Sequence, residues 1–300
     1  MNGITWGKLR QHSGAGLLTL LAVLAAMHTT LVWRLSNDWD ETGIHGLTWA
    51  VAFLLLWRQR YLLPTWEQGQ VSFGSWLSGI LLLAWTLFKC LTARRYEDVL
   101  FIQVPLAAML GGLLTQVGWR KLGPFWSIMA LIATLGVPIP LVSAAIERVI
   151  PVNLFTAQFA NSVLYYGGQR VVQTGLYIAS PQGQVLVGRG CAGLPPIFLL
   201  LRLTLMYILA FPVARWTGWL LAGVAIAVAF VVNSVRVAIL VLVVRDDVAF
   251  DYWHDGDGSQ IFSAIAVTLF FACCHWLTRE GEEEEDLESD AELDGEENAS

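Results

Sequence analysis

Long apolar runs separated by short polar interruptions recur from residue 15 to residue 278, and their lengths predict a bundle of membrane-crossing helices. A helix needs about 20 apolar residues to cross a hydrocarbon core ~30 Å thick. Runs of that order fall at 15–33, 44–57, 74–91, 98–117, 124–145, 193–213, 217–243 and 259–278. The run 44–57 is short, so seven crossings is the alternative count to eight. Pro138 and Pro140 kink the fifth run, a bend that could open space beside it.

Between the fifth and sixth runs, 146–192 is the one substantial polar stretch of the expected membrane domain 15–278. Asn153 is placed to cap a short helix there, and Phe155, Phe159, Val163 and Tyr166 recur at helical spacing. Such a stripe suits a helix lying on a bilayer surface. After Gly167-Gly168, Val171–Ala179 and Gln184–Val187 read as two β runs joined by the turn Ser180-Pro181-Gln182-Gly183. The hairpin edge could receive an extended substrate as an added strand. The expected fold is therefore an all-α polytopic membrane protein: about eight transmembrane helices with a small helix and β-hairpin insertion outside the cytoplasm.

Composition agrees. The chain is 56% hydrophobic and 14% charged, with mean hydropathy +0.58, whereas soluble domains carry about 25% charged residues. No nucleic-acid partner is expected; the lipid bilayer is. The net charge of −6 is set by residues 280–300, which hold twelve acids and no base and leave the remainder at +6. The expected layout is a cytoplasmic N-terminus 1–14 and a disordered acidic cytoplasmic tail 279–300. Lys8 and Arg10 precede a first run too long for a cleavable signal, so that run is expected to stay. Basic residues divide evenly between the two sides. The first connection, with Lys8 and Arg10 against Arg34, tips both termini toward the cytoplasm of a multi-pass protein of the inner (plasma) membrane.

Three polar groups then fall at one membrane face: Cys191, Arg236 and His254. Cys191 stands in Arg189-Gly190-Cys191-Ala192-Gly193 just ahead of the sixth run. A thiol attacks a carbonyl as the thiolate. Arg189 and the positive end of a following helix are expected to favour that form. Pro195 and Pro196 suit the first helical turn, leaving the N–H groups of Ala192, Gly193 and Leu194 to face an oxyanion.

Arg236 sits in an otherwise apolar run with Asn233 one turn earlier on the same helix face. A guanidinium there costs at least about 2.5 kcal/mol unless partnered. It could stabilise an oxyanion or grip a carboxylate, and it cannot act as a base. His254, whose imidazole can both take and give a proton, is the acid/base candidate, with Asp255 or Asp251 to orient it. His28 and His45 read as packing or interfacial residues. The cysteines Cys90, Cys191, Cys273 and Cys274 lack metal-site spacing, so no metal and no cofactor is expected.

Cys191 in Cys-Ala-Gly, Arg236 in Asn-Ser-Val-Arg and His254, in that order and each beside an apolar run, resemble the exosortase/archaeosortase family of membrane cysteine proteases and transpeptidases. The compact chain is similar to the cyanoexosortase branch. That resemblance implies Cys191 as nucleophile, His254 as general acid/base and Arg236 as oxyanion or positioning group. It implies as substrate an exported protein precursor ending in a sorting signal: a short Pro-Glu-Pro-like motif, one transmembrane helix and a basic cluster. It also implies transfer to a surface acceptor, polysaccharide or lipid. Many members carry Arg soon after the Cys motif, where this chain has Leu194-Pro195-Pro196. The rival readings are a transporter lined by Arg236 and His254, and a cysteine-based membrane acyltransferase.

Overall fold

The computed structural model describes residues 14–63, 71–96, 98–188, 191, 193–211 and 213–297. Lys8, Arg10, Arg189 and Ala192 lie outside these residues. The chain is mostly helical and divides into two compact units, Met1–Pro138 with Leu205–Ala210, and Ile139–Thr204 with Phe211–Ser300.

The first unit contains α1 Gly14–Ser36, α2 Trp39–Arg58, α3 Phe73–Thr92, α4 Val99–Ile102, α5 Val104–Gln116 and α6 Trp126–Ala133. Helix starts follow local capping chemistry: the Asp38 carboxylate accepts from the N–H groups of Asp40 and Glu41 ahead of α2. α3 and α5 meet through glycine. A Cβ at Gly79 would stand 2.7 Å from the Gly111 carbonyl, so the two backbones touch there. His28 and His45, each 1% exposed, stack at 5.1 Å inside this unit, as their packing reading expected.

The second unit contains α7 Ile139–Glu147, α8 Val152–Tyr166, most of α9 Leu194–Ala210, α10 Arg215–Val243, α11 Asp247–His254 and α12 Asp257–Glu297. Its sheet is an antiparallel meander β1 Val172–Thr174, β2 Tyr177–Ser180 and β3 Gly183–Leu186, with Val172 opposite Ala179 and Tyr177 opposite Leu186. α10 is the axis. Its face Ala225, Ala229, Asn233, Val237 and Val241 is buried, and the core around it takes Ala157, Ala160 and Leu164 from α8 and Ile178, Val185 and Val187 from the sheet region. The stripe Phe155, Phe159, Val163 and Tyr166 points away from that core and is exposed.

The structure bears on three expectations. All eight apolar runs are helical, yet among the described residues only four helices are long and apolar enough to cross a membrane, or five if Gly123–Gly136 and Ile139–Glu147 count as one broken span. The fourth run breaks at Gln103 ahead of Pro105, the fifth at Val137-Pro138, and the sixth yields only 17 residues. Second, Val171–Ala179 is not one strand. Gly175, at φ +60°, turns the chain between β1 and β2. Third, Asn153 does not cap α8: its backbone N–H donates to Glu147 Oε1 at 3.1 Å, so a carboxylate from α7 satisfies that helix start. α12 itself runs from Asp257 to Glu297. Glu, Ala and Leu carry high helix propensity, which favours extending a helix already begun.

Candidate active site

Two residues one turn apart on α10 tie the other two site segments together. Asn233 donates through Nδ2 to the Cys191 carbonyl at 3.0 Å. Arg236 donates through Nε to the Trp253 carbonyl at 3.2 Å and through Nη2 to the His254 carbonyl. Those carbonyls end α11, where a helix leaves its last C=O groups without internal partners. The buried guanidinium thus finds backbone acceptors, and no acidic side chain within ion-pair distance is required to explain it. Its Nη1 has no protein acceptor among the described residues.

Cys191 is 4% exposed, and its N–H donates to the Gly188 carbonyl at 3.1 Å. Burial pushes its thiol above the ordinary cysteine range; the Arg236 charge pulls it back down, and Asp255 pushes it up again. The expectation of a thiol already acidified is therefore corrected, because loss of water outweighs the nearby cation. Those electrostatic interactions also place Arg236 and Asp255 in the surroundings of the sulfur.

His254 is held from three sides. Its Nδ1 lies 2.8 Å from Asp255 Oδ2, its ring stacks on Phe250 at 5.3 Å, and its carbonyl is fixed by Arg236. Asp255, rather than Asp251, is the carboxylate that meets the ring. This pairing sets the Nδ1–H tautomer and leaves Nε2 as the basic atom.

Gly193 sits where α9 begins: its carbonyl accepts from the Ile197 N–H at 3.2 Å, which puts Leu194, Pro195 and Pro196 in the first turn. A Cβ on Gly193 would stand 3.6 Å from Asn233 Nδ2 and 3.7 Å from Thr156 Oγ1. Thr156 and Asn153 were not singled out for chemistry in the sequence. Both are buried on the inner face of α8, and Thr156 Oγ1 and Asn153 Oδ1 have no hydrogen-bond partner among the described residues. The available signal was two polar residues three apart on the face that also carries Ala157, Ala160 and Leu164.

A buried thiol, a carboxylate-paired imidazole and a guanidinium thus gather at one end of a long apolar helix, in a chain with several helices apolar enough to cross a membrane. The transmembrane exosortase model (Exosortase_EpsH) matches residues 33–271, and the chain belongs to that family. No curated protein and no solved structure matches it. Family membership implies a membrane peptidase or transpeptidase acting on C-terminal sorting signals of exported proteins.

Proposed function

We propose that this protein cleaves exported precursors near a C-terminal sorting signal through a thioacyl intermediate on Cys191, and passes the acyl group to a surface acceptor, a polysaccharide or lipid. The observation that carries this reading is the pair of bonds from α10: Asn233 to the nucleophile's own carbonyl, and Arg236 to the carbonyl of the histidine.

In that reading the resting thiol is protonated, as its burial favours, so attack needs a base. His254 Nε2 takes the thiol proton, and the sulfur adds to the scissile carbonyl carbon. Arg236, through its unengaged Nη1, and the Gly193 N–H stabilise the oxyanion; the N–H of Ala192 and the charge of Arg189 are assigned to the same step. The C–N bond breaks, and the leaving amine takes the proton from His254. A nucleophile of the acceptor, or water, then attacks the thioester, its proton passes to His254, and the sulfur leaves as the thiol. Asp255 steadies the imidazolium in both halves.

The substrate inferred is the tripartite signal of short motif, transmembrane helix and basic cluster. The acidic stretch 280–297, placed in the cytoplasm, offers that cluster a complementary charge. The protein is read as an eight-crossing protein of the plasma membrane, with both termini inside and the thiol at the outer boundary. Arg236 lies about 32 Å beyond Arg215 along α10 at 1.5 Å per residue, so the two cations stand at opposite limits of a ~30 Å core.

The test is conversion of a co-expressed precursor bearing such a signal. Cys191→Ala and His254→Ala should abolish it, and Arg236→Ala should lower it by about 10²–10³-fold or more. Undiminished conversion by Cys191→Ala would remove the reading and favour transport through the Arg236 and His254 region.

A further inference from the structure

A cavity of about 380 Å³ adjoins the nucleophile loop within the second unit. Its walls come from α7 (Pro140, Ser143, Glu147), from Asn153 on α8, and from Leu194 and Pro195 at the start of α9. Its size is at the low end of ligand pockets, about 300–1,000 Å³. That is room for a short segment of a chain, not for a large head group.

The wall residues include the charged Glu147 and Arg148, and two polar atoms among them are buried without partners. Asn153 is only 6% exposed, yet its Oδ1 has no hydrogen-bond partner among the described residues, and neither does Ser143 Oγ. Buried polar groups are normally paired, and an exception asks for an absent partner. Glu147 is already engaged, accepting from the Asn153 backbone N–H with both carboxylate oxygens at 3.1 and 3.3 Å. That bond fixes the Asn153 backbone while leaving its carboxamide idle. A carboxamide offers one acceptor and an N–H₂ donor side by side. The complementary group on a polypeptide is the N–H and C=O of one residue in an extended segment, which point to the same side, whereas those of a single trans peptide bond point opposite ways.

The cavity also connects to the chemistry. Leu194 is three residues past Cys191, and between them Gly193 lies against Thr156 and Asn233, the latter bonded to the Cys191 carbonyl. The apolar walls and the polar atoms together suit a short stretch of polypeptide with its side chains against proline and leucine.

We propose that this cavity is a substrate subsite that holds the peptide segment next to the scissile bond, with the Asn153 carboxamide pairing with the N–H and C=O of one extended residue and Ser143 adding a further hydrogen bond. The proposal rests on Cys191 being the nucleophile. Asn153 is a positioning residue here: it holds the acyl donor and takes no part in bond exchange.

The experiment compares two electrophiles on full-length protein in lipid nanodiscs, with Cys90, Cys273 and Cys274 replaced by alanine. Iodoacetamide needs no subsite. A mixture of N-acetyl-tripeptidyl vinyl sulfones, varied over the natural residues, needs one. Asn153→Ala and the cavity-filling Ser143→Trp should each slow labelling of Cys191 by the peptidyl mixture by about tenfold, the worth of a lost hydrogen bond, with iodoacetamide labelling within about twofold of the parent. Unchanged peptidyl labelling in both variants would overturn the proposal. So would a parent protein that takes iodoacetamide at Cys191 but no member of the mixture. Retained precursor conversion by Cys191→Ala is a separate failure, that of the nucleophile assignment.

Discussion

The thiol of Cys191 is subject to three opposed influences, and each can be removed singly. Burial raises its pKa most, Arg236 lowers it and Asp255 raises it. The pH profile of iodoacetamide alkylation, in protein lacking the other cysteines, should therefore have its midpoint above the ordinary ~8.5. Removing the cation in Arg236→Ala should move the midpoint further up. Removing the anion in Asp255→Asn should move it down, so more thiolate forms at neutral pH. Catalysis by Asp255→Asn should nonetheless fall by about 10²–10⁴-fold, because the imidazole loses the 2.8 Å partner that sets its tautomer. A more reactive sulfur in a less active enzyme separates the two roles; a midpoint that falls in Arg236→Ala contradicts the electrostatic assignment. The sequence allowed the three groups to be named, since thiol, guanidinium and imidazole beside apolar runs are conspicuous. It did not allow the sign of the thiol shift to be read, because burial is a property of the fold around Cys191 and not of Arg189 or of the helix that follows.

Elements were legible where one period governed them and illegible where a contact did. The apolar runs at 15–33, 74–91 and 217–243 became α1, α3 and α10 within a few residues at each end. The break at Gln103 and the turn at Gly175 depended on a proline in a first turn and a glycine at positive φ, signals present but outweighed by the length of the surrounding run. The α3–α5 contact had no sequence signature at all, for Gly79 and Gly111 belong to separate runs and form no motif. It makes a sharp prediction. Gly79→Ala would place a methyl group 2.7 Å from a backbone oxygen and 2.9 Å from the Thr115 nitrogen, neither of which can rotate away. The helices must separate, at about 1–3 kcal/mol. Gly74→Ala, on the same helix with nothing within 4 Å, should instead be neutral or stabilising by about 0.5–1 kcal/mol. Thermal unfolding in one detergent would check the pair; equal melting temperatures would mean that α3 and α5 do not touch as described.

Across the whole molecule the open matter is the number of crossings, and α9 decides much of it. By its 17 residues alone α9 falls short of the length expected for a span. Its start, however, is tied to α10. It starts beside Cys191, whose carbonyl is bound by Asn233, and along the sequence it stops at Ala210, a few residues ahead of Arg215, where α10 begins. From Arg215 to Asn233 is about 27 Å of helix, and α9 covers about 26 Å. The two lengths are alike, so α9 is long enough to cross wherever that stretch of α10 does, with modest thinning or tilt to absorb the deficit. Reporter fusions then have a fixed expected pattern. Alkaline phosphatase joined after Gly168 and after Asp246 should be active on the outer side, and joined after Ala214 it should be inactive, with a fluorescent cytoplasmic reporter giving the reverse. The same pattern inverted would turn the protein over while leaving Cys191 and His254 on one face. Opposite readings after Gly168 and Asp246 would put the thiol and the imidazole on different sides of the membrane, which the bonds from Asn233 and Arg236 do not permit.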